Sequence, residues 1–279
     1  MIPLELSPDR LFPADPGARS VARTLYQAVR DLPIVSPHGH TDPSWYANDT
    51  PFEDPAALFI VPDHYVYRML YSQGVPLDAL GVPPRDGTRG IDNDPRAIWR
   101  IFAQHYPLFR GTPTRLWLDH AFHTVFGIDE RLTEESADRY YDRIAACLRD
   151  ESYRPRALFE RFDIEVIATT ESPLDPLAHH RAIRESGWRG RVITAYRPDP
   201  VVDPQFDGFA ATLGRCDGPF TRYGFPAARH TPPARIACQS LLDIVTIDDA
   251  WRNQRGHVVS SPVAGRRVSS RQPVPLGSR

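Results

Sequence analysis

His38-Gly39-His40 places two imidazoles two residues apart, directly after the apolar run Leu32-Pro33-Ile34-Val35. On extended backbone, residues i and i+2 point to the same side. Both rings can then reach one divalent ion at the end of a strand, with Gly39 leaving the backbone room between them. The chemistry on offer is that of a Lewis acid, which orients a bound molecule and polarises an oxygen. Two solvated loop histidines are the bland alternative for the same residues. The chain contains no lysine, so all 33 of its Lys+Arg residues are arginine. No Schiff base can form and no carboxylated lysine can bridge two metals, so a metal site here is expected to hold one ion.

The elements that must carry these histidines follow from spacing. Pro33 can open a strand but not sit in its middle, and Ile34 and Val35 favour one, so residues 33–37 are expected to form a buried strand. Upstream, Ala22, Leu25, Tyr26, Val29 and Leu32 recur at helical spacing, which predicts an amphipathic helix from 16 to 32. Residues 41–54 carry Asp42, Pro43, Asn48, Asp49 and Pro51 and are expected to be loop. From about 55 to 160 the pattern is helical with polar breaks, and Asp94-Pro95 sets a cap before a first-turn proline. The period then changes. Residues 164–170 and 191–197 are short apolar strands ending in polar residues, with a helix at 175–187 between them. Strand, helix, strand at this spacing is a βαβ unit, and therefore a parallel sheet. In such folds function gathers at the C-terminal strand ends.

Composition excludes several classes. A formal net charge of −2 over 279 residues implies no general attraction to nucleic acid or membrane. No apolar run approaches the length of a membrane span, and no secretory leader opens the chain, so a cytoplasmic protein is expected. Cys147, Cys216 and Cys238 are scattered and read as unpaired thiols in a reducing compartment. His179 and His180 are adjacent on a helix, about 100° apart, which suits solvent better than a shared metal. Asp119 and His123 read as a structural i, i+4 pair, and His105, His120, His230 and His257 carry no assignment. After about 214 arginine and proline dominate, only residues 237–251 could pack, and 265–279 read as disordered.

Taken with three further stretches, the histidine pair has a family likeness. His38-Gly39-His40 resembles the metal-binding entry of the amidohydrolase superfamily. Pro62-Asp63-His64-Tyr65-Val66-Tyr67-Arg68-Met69, then Ile167-Ala168-Thr169-Thr170-Glu171-Ser172-Pro173-Leu174-Asp175, then Tyr196-Arg197-Pro198-Asp199 are similar to the uronate isomerase (glucuronate isomerase) family. The resemblance runs from about 10 to 214. It departs from the family at Gly39, where cysteine is common, and at Glu171-Ser172, where two aspartates are usual. It also lacks any later counterpart of the family's Asp-x-Arg segment, which carries a further metal ligand.

The resemblance implies an α/β fold: the first part of a (β/α)8 TIM-type barrel, spanning 1–214, with a large helical insertion at about 41–162 after the first strand. Residues 215–279 would be a divergent, poorly ordered tail. A frame change in the gene would account for that tail; translating the coding DNA beyond codon 214 in the other two frames tests this. The implied activity interconverts an aldo-hexuronate and a keto-hexuronate, D-glucuronate with D-fructuronate or D-galacturonate with D-tagaturonate. By the same resemblance His38 and His40 would hold one zinc, and His64 and Tyr65 would line the sugar site, donating to substrate oxygens or carrying protons, with a surface histidine and a core tyrosine as the structural alternative. Arg68, one helical turn on, would face the same way and either bind substrate or serve as an ordinary salt-bridged arginine. Arg197, at the end of the third strand, would grip the sugar carboxylate through paired hydrogen bonds, with an ion pair to Asp199 or Asp175 as the structural alternative. The expected partner is a small hexuronate, with self-association left open. Two rival readings stand beside it: a non-catalytic remnant, because two protein ligands rarely hold zinc tightly, and a zinc-dependent hydrolase.

Overall fold

The computed structural model describes residues 2–83, 94–172, 174–197 and 199–212. The expectations for 215–279 lie outside the described residues. In chain order the helices and strands are α1 (Pro16–Gln27), β1 (Ile34–Ser36), α2 (Pro43–Asn48), α3 (Pro55–Phe59), α4 (His64–Tyr71), α5 (Pro95–His105), α6 (Pro113–His120), α7 (Ala137–Leu148), α8 (Pro155–Arg161), β2 (Ile164–Glu171), α9 (Ala178–Glu185), β3 (Val192–Tyr196) and α10 (Asp199–Val202).

Aspartate followed by proline opens α1, α2, α3 and α5. The carboxylates of Asp15, Asp42, Asp54 and Asp94 accept backbone N–H groups of the first turn at 2.7–3.0 Å. The proline sits where a helix has no use for its missing N–H. This corrects the expectation that 41–54 is loop throughout. Asp42 and Pro43, read there as breakers, are the cap and first residue of α2, which ends at Asp49 in left-handed backbone (φ 51°).

Contacts divide the described residues into two units. The first comprises the residues up to 171 together with 175–195; the second comprises Ser172, Leu174 and the described residues from 196 on. Within the first unit the helical stretch between β1 and β2 has a core of its own. Ile60, Leu70, Trp99, Phe102, Tyr106, Phe122 and Ile144 are fully buried in it. The aliphatic and phenylalanine side chains among these each contribute about 1.5–3 kcal/mol of burial, and the Trp99 indole N–H donates to the Ala137 carbonyl at 3.0 Å.

The sheet is small, parallel and three-stranded, in the order β1-β2-β3. β1 pairs with β2 in parallel, Val35 opposite Val166 and Ser36 opposite Ile167. A separate small core lies between β2 and its helices, where Ile167 meets Tyr46, Phe159 and Ile183. β1 itself is not the buried strand expected from its sequence. Ile34 and Val35 are 49% and 55% exposed, because β1 is the outer strand of the sheet among the described residues. α1 shares this condition: none of its residues is buried. In the second unit α10 buries Val201. No helix among the described residues is long and apolar enough to cross a membrane.

Candidate metal and substrate site

β1 ends at Ser36, and the two histidines lie not on the strand but in the turn that follows it. The Nε2 atoms of His38 and His40 lie 2.9 Å apart, with ring centroids at 4.9 Å and planes at 76°. Both side chains are exposed. Two nitrogens each about 2.0–2.1 Å from a shared zinc lie roughly 2.9–3.4 Å apart, for angles from a right angle to the tetrahedral value. The spacing therefore fits two ligands of one ion; it equally fits a hydrogen bond in which one ring N–H donates to the other ring nitrogen. No group of three or more His, Cys, Asp or Glu side chains able to hold a metal occurs among the described residues.

Gly39 has little spare room on one side. A Cβ built there would stand 3.1 Å from the Ala168 carbonyl oxygen of β2. The Thr170 hydroxyl donates to the Gly39 carbonyl at 3.0 Å. The turn that carries both histidines is thus docked against the end of the neighbouring strand.

His64 and Tyr65 open α4. The Asp63 carboxylate caps that helix, accepting from Tyr65 N at 2.8 Å and Val66 N at 3.3 Å. The two rings lie 4.2 Å apart at 34°, and Tyr65 is 68% exposed. Arg68, one turn on, is also exposed and makes no ion pair among the described residues. Val66 and Leu70 point the opposite way, into the helical core, and so leave His64, Tyr65 and Arg68 on the open face. Among the described residues no hydrogen bond, ion pair or ring contact joins this trio to His38 and His40. Arg197, in the second unit, meets the Asp199 carboxylate through Nε at 3.3 Å, with its side chain largely exposed.

The sequence reading missed a buried polar cluster behind β2. His180 is not solvated; it is 5% exposed, beside Thr169 at 0% and Glu171 at 8%. Its Nε2 lies 2.9 Å from the Thr169 oxygen and 3.8 Å from Glu171 Oε1. The Thr169 hydroxyl hydrogen goes to the Ile193 carbonyl at 3.2 Å, so the imidazole N–H is the donor to Thr169. The Thr194 hydroxyl donates to Glu171 Oε2. Burial holds the imidazole below its ordinary pKa, opposed by the nearby Glu171 charge. Two signals were available: His180 shares a helical stripe with Ile183 at i+3, and Thr169 and Glu171 share a strand face with Ile167. His179 is exposed, as expected. The expected Asp119–His123 pair does not form. Asp119 instead accepts from Arg115 Nε at 2.7 Å and the Tyr106 hydroxyl at 2.8 Å, and His123 lies 3.1 Å from Asp129.

A family model for glucuronate isomerase matches residues 17–218. A uronate isomerase of Rhizorhabdus wittichii is 65% identical over 213 residues, covering 76% of this chain and 44% of that protein. One of Phenylobacterium zucineum is 61% identical over 213 residues, with 76% and 44% covered. The crystal structure of glucuronate isomerase from Caulobacter crescentus superposes with a TM-score of 0.76 at 51% identity, over 87% of this chain and 50% of that one. That of uronate isomerase from Thermotoga maritima gives 0.66 at 25% identity, over 80% and 46%. The chain spans about half the length of the relatives it matches.

Proposed function

This chain belongs to the glucuronate isomerase family, and from that premise we propose that it carries the first part of an aldose–ketose isomerase acting on hexuronates. The observation that carries the proposal is the convergence of the His38 and His40 Nε2 atoms to 2.9 Å at the end of β1, within the stretch that the family model matches. The sheet β1-β2-β3 is read as the opening strands of a (β/α)8 barrel, with its chemistry at the C-terminal strand ends. The helical stretch between β1 and β2 is the family's insertion.

The reaction moves a proton from the carbon beside a carbonyl to its neighbour, and the carbonyl shifts in the opposite sense. It requires a base, stabilisation of the enediolate, and a cation for the sugar carboxylate. His38 and His40 would hold one divalent ion, zinc in this reading, and when bound it supplies Lewis acidity at the sugar oxygens. His64 and Tyr65, paired on the open face at the start of α4, offer an imidazole and a phenol to carry the proton or donate to substrate oxygens. Arg68 adds a cation on that face. Arg197 offers a planar fork to the carboxylate. Its contact with Asp199 engages Nε, and the carboxylate of a uronate would compete for the guanidinium. The substrate is a small soluble acid sugar, and the reading carries with it a cytoplasmic place of action.

One observation favours the second reading, a non-catalytic remnant. Among the described residues only two imidazoles converge, where zinc sites use three or four protein ligands. Metal analysis of the purified 279-residue chain separates the two readings, near-stoichiometric zinc favouring the first and almost none the remnant, and an aldose–ketose assay with glucuronate and galacturonate tests the activity itself. Weak or absent turnover is expected of this chain alone. In a full-length relative, alanine at the position of Arg197 should raise KM strongly for the charged sugar; an unchanged KM would remove the carboxylate-clamp assignment.

A further inference from the structure

The histidine turn is held from the side by β2, and the holding residues form one connected set. Thr170 faces β1 and gives its hydroxyl hydrogen to the Gly39 carbonyl, 3.0 Å away, between the two histidines. Its neighbours Thr169 and Glu171 face the other side of the strand, as the alternation of a strand demands. There Thr169 is pinned between the His180 imidazole and the Ile193 carbonyl, and Glu171 accepts from the Thr194 hydroxyl. Thr169, Glu171 and His180 are all buried. Thr169 and Glu171 therefore lock the strand end against α9 and β3, and the residue between them presents its hydroxyl to the turn.

From this arrangement we infer that Thr170 is a positioning residue for the His38–His40 pair. The peptide that carries the Gly39 carbonyl links Gly39 to His40. Fixing that carbonyl fixes the direction in which the His40 ring leaves the backbone, and with it the approach of the two Nε2 atoms. The close passage of Gly39 over the Ala168 carbonyl, where a Cβ would come within 3.1 Å, restrains the same turn from a second direction. Partners that orient metal ligands typically carry 10- to 100-fold in metal affinity. The inference rests on the metal reading for its zinc readout but not for its geometric one.

The test compares Thr170→Val, which keeps the shape and removes the donor, with Thr170→Ser, which restores it. Two quantities are measured on the 279-residue chain: zinc affinity by calorimetric titration, and amide hydrogen exchange at residues 38–40 without metal. Thr170→Val should weaken zinc binding by about 10- to 100-fold and speed exchange at 38–40, with the urea midpoint little changed. Thr170→Ser should return both towards the parent. If zinc binds the parent and Thr170→Val binds it as tightly with unchanged exchange, the inference fails. If the parent binds no zinc yet Thr170→Val still loosens 38–40 and serine restores it, the positioning role stands and the metal reading falls. Faster exchange in both variants alike would mark a role in packing alone and would overturn the inference.

Discussion

His180 is the one buried imidazole among the described residues, and its surroundings set a pH dependence. Burial lowers its pKa from the ordinary 6.5; Glu171 and Asp175 act to raise it, and Arg184 and His179 to lower it. The folded chain then holds fewer protons than the unfolded one between the depressed value and 6.5. Stability from this group is complete above about pH 6.5 and falls as the pH drops below it towards the folded value. His120, also lowered by burial and by Arg10, acts in the same sense. Replacing His180 with Gln should flatten its share of the slope, measured as the urea midpoint between pH 7.5 and 5; an unaltered slope would mean that His180 is not neutral in the folded chain. The closeness of His38 and His40 was legible in their i, i+2 spacing, although β1 ends at Ser36 and the turn beyond it, rather than the strand, brings the rings together. The burial of His180 on α9 was only hinted at by its helical stripe with Ile183, because its polar partners Thr169 and Glu171 come from β2.

At the scale of elements, caps decide which side chains reach the open face. Asp63 holds the first turn of α4 through the N–H groups of Tyr65 and Val66. Asp63→Ala should cost about 1 kcal/mol of stability and speed amide exchange at residues 64–66. Asp63→Asn should lose only part of that, because it still accepts the N–H groups. Equal stability of Asp63→Ala and the parent in urea titration would contradict the capping role. Cap and proline signals were read correctly at Asp94-Pro95 and wrongly at Asp42-Pro43, although the two are the same signal. What misled at 41–54 was density: Asp49, Thr50 and Pro51 follow so closely that a six-residue helix fits between the breakers. The weakly apolar face of α2 gave no periodicity to recover it, and Tyr46 finds its partners, Phe159 and Trp188, more than a hundred residues away.

For the whole molecule, the telling feature is apolar surface left open on α1 and on the outer strand of the sheet among the described residues. Val21, Leu25 and Tyr26 of α1 are 61%, 67% and 52% exposed, and Ile34 and Val35 of β1 are exposed too. Uncovered apolar faces and open strand edges favour association. The chain is therefore expected to self-associate with rising concentration in sedimentation velocity, and a Val21→Glu, Leu25→Glu double variant to do so less at unchanged helix content. A monomer that binds no hydrophobic dye at any concentration would contradict this. The amphipathic pattern of α1 was plain in the sequence, but what it faces was not, since periodicity identifies a face without naming its partner.

The central claim is that His38 and His40 share one divalent ion, and titrating the 279-residue chain with zinc while following the histidine ring resonances tests it most directly. The account predicts one ion per chain, bound weakly as two protein ligands imply, with the resonances of both rings moving together and binding lost in His38→Ala and in His40→Ala. Zinc that moves neither ring, or that binds as well when both histidines are replaced, would contradict it.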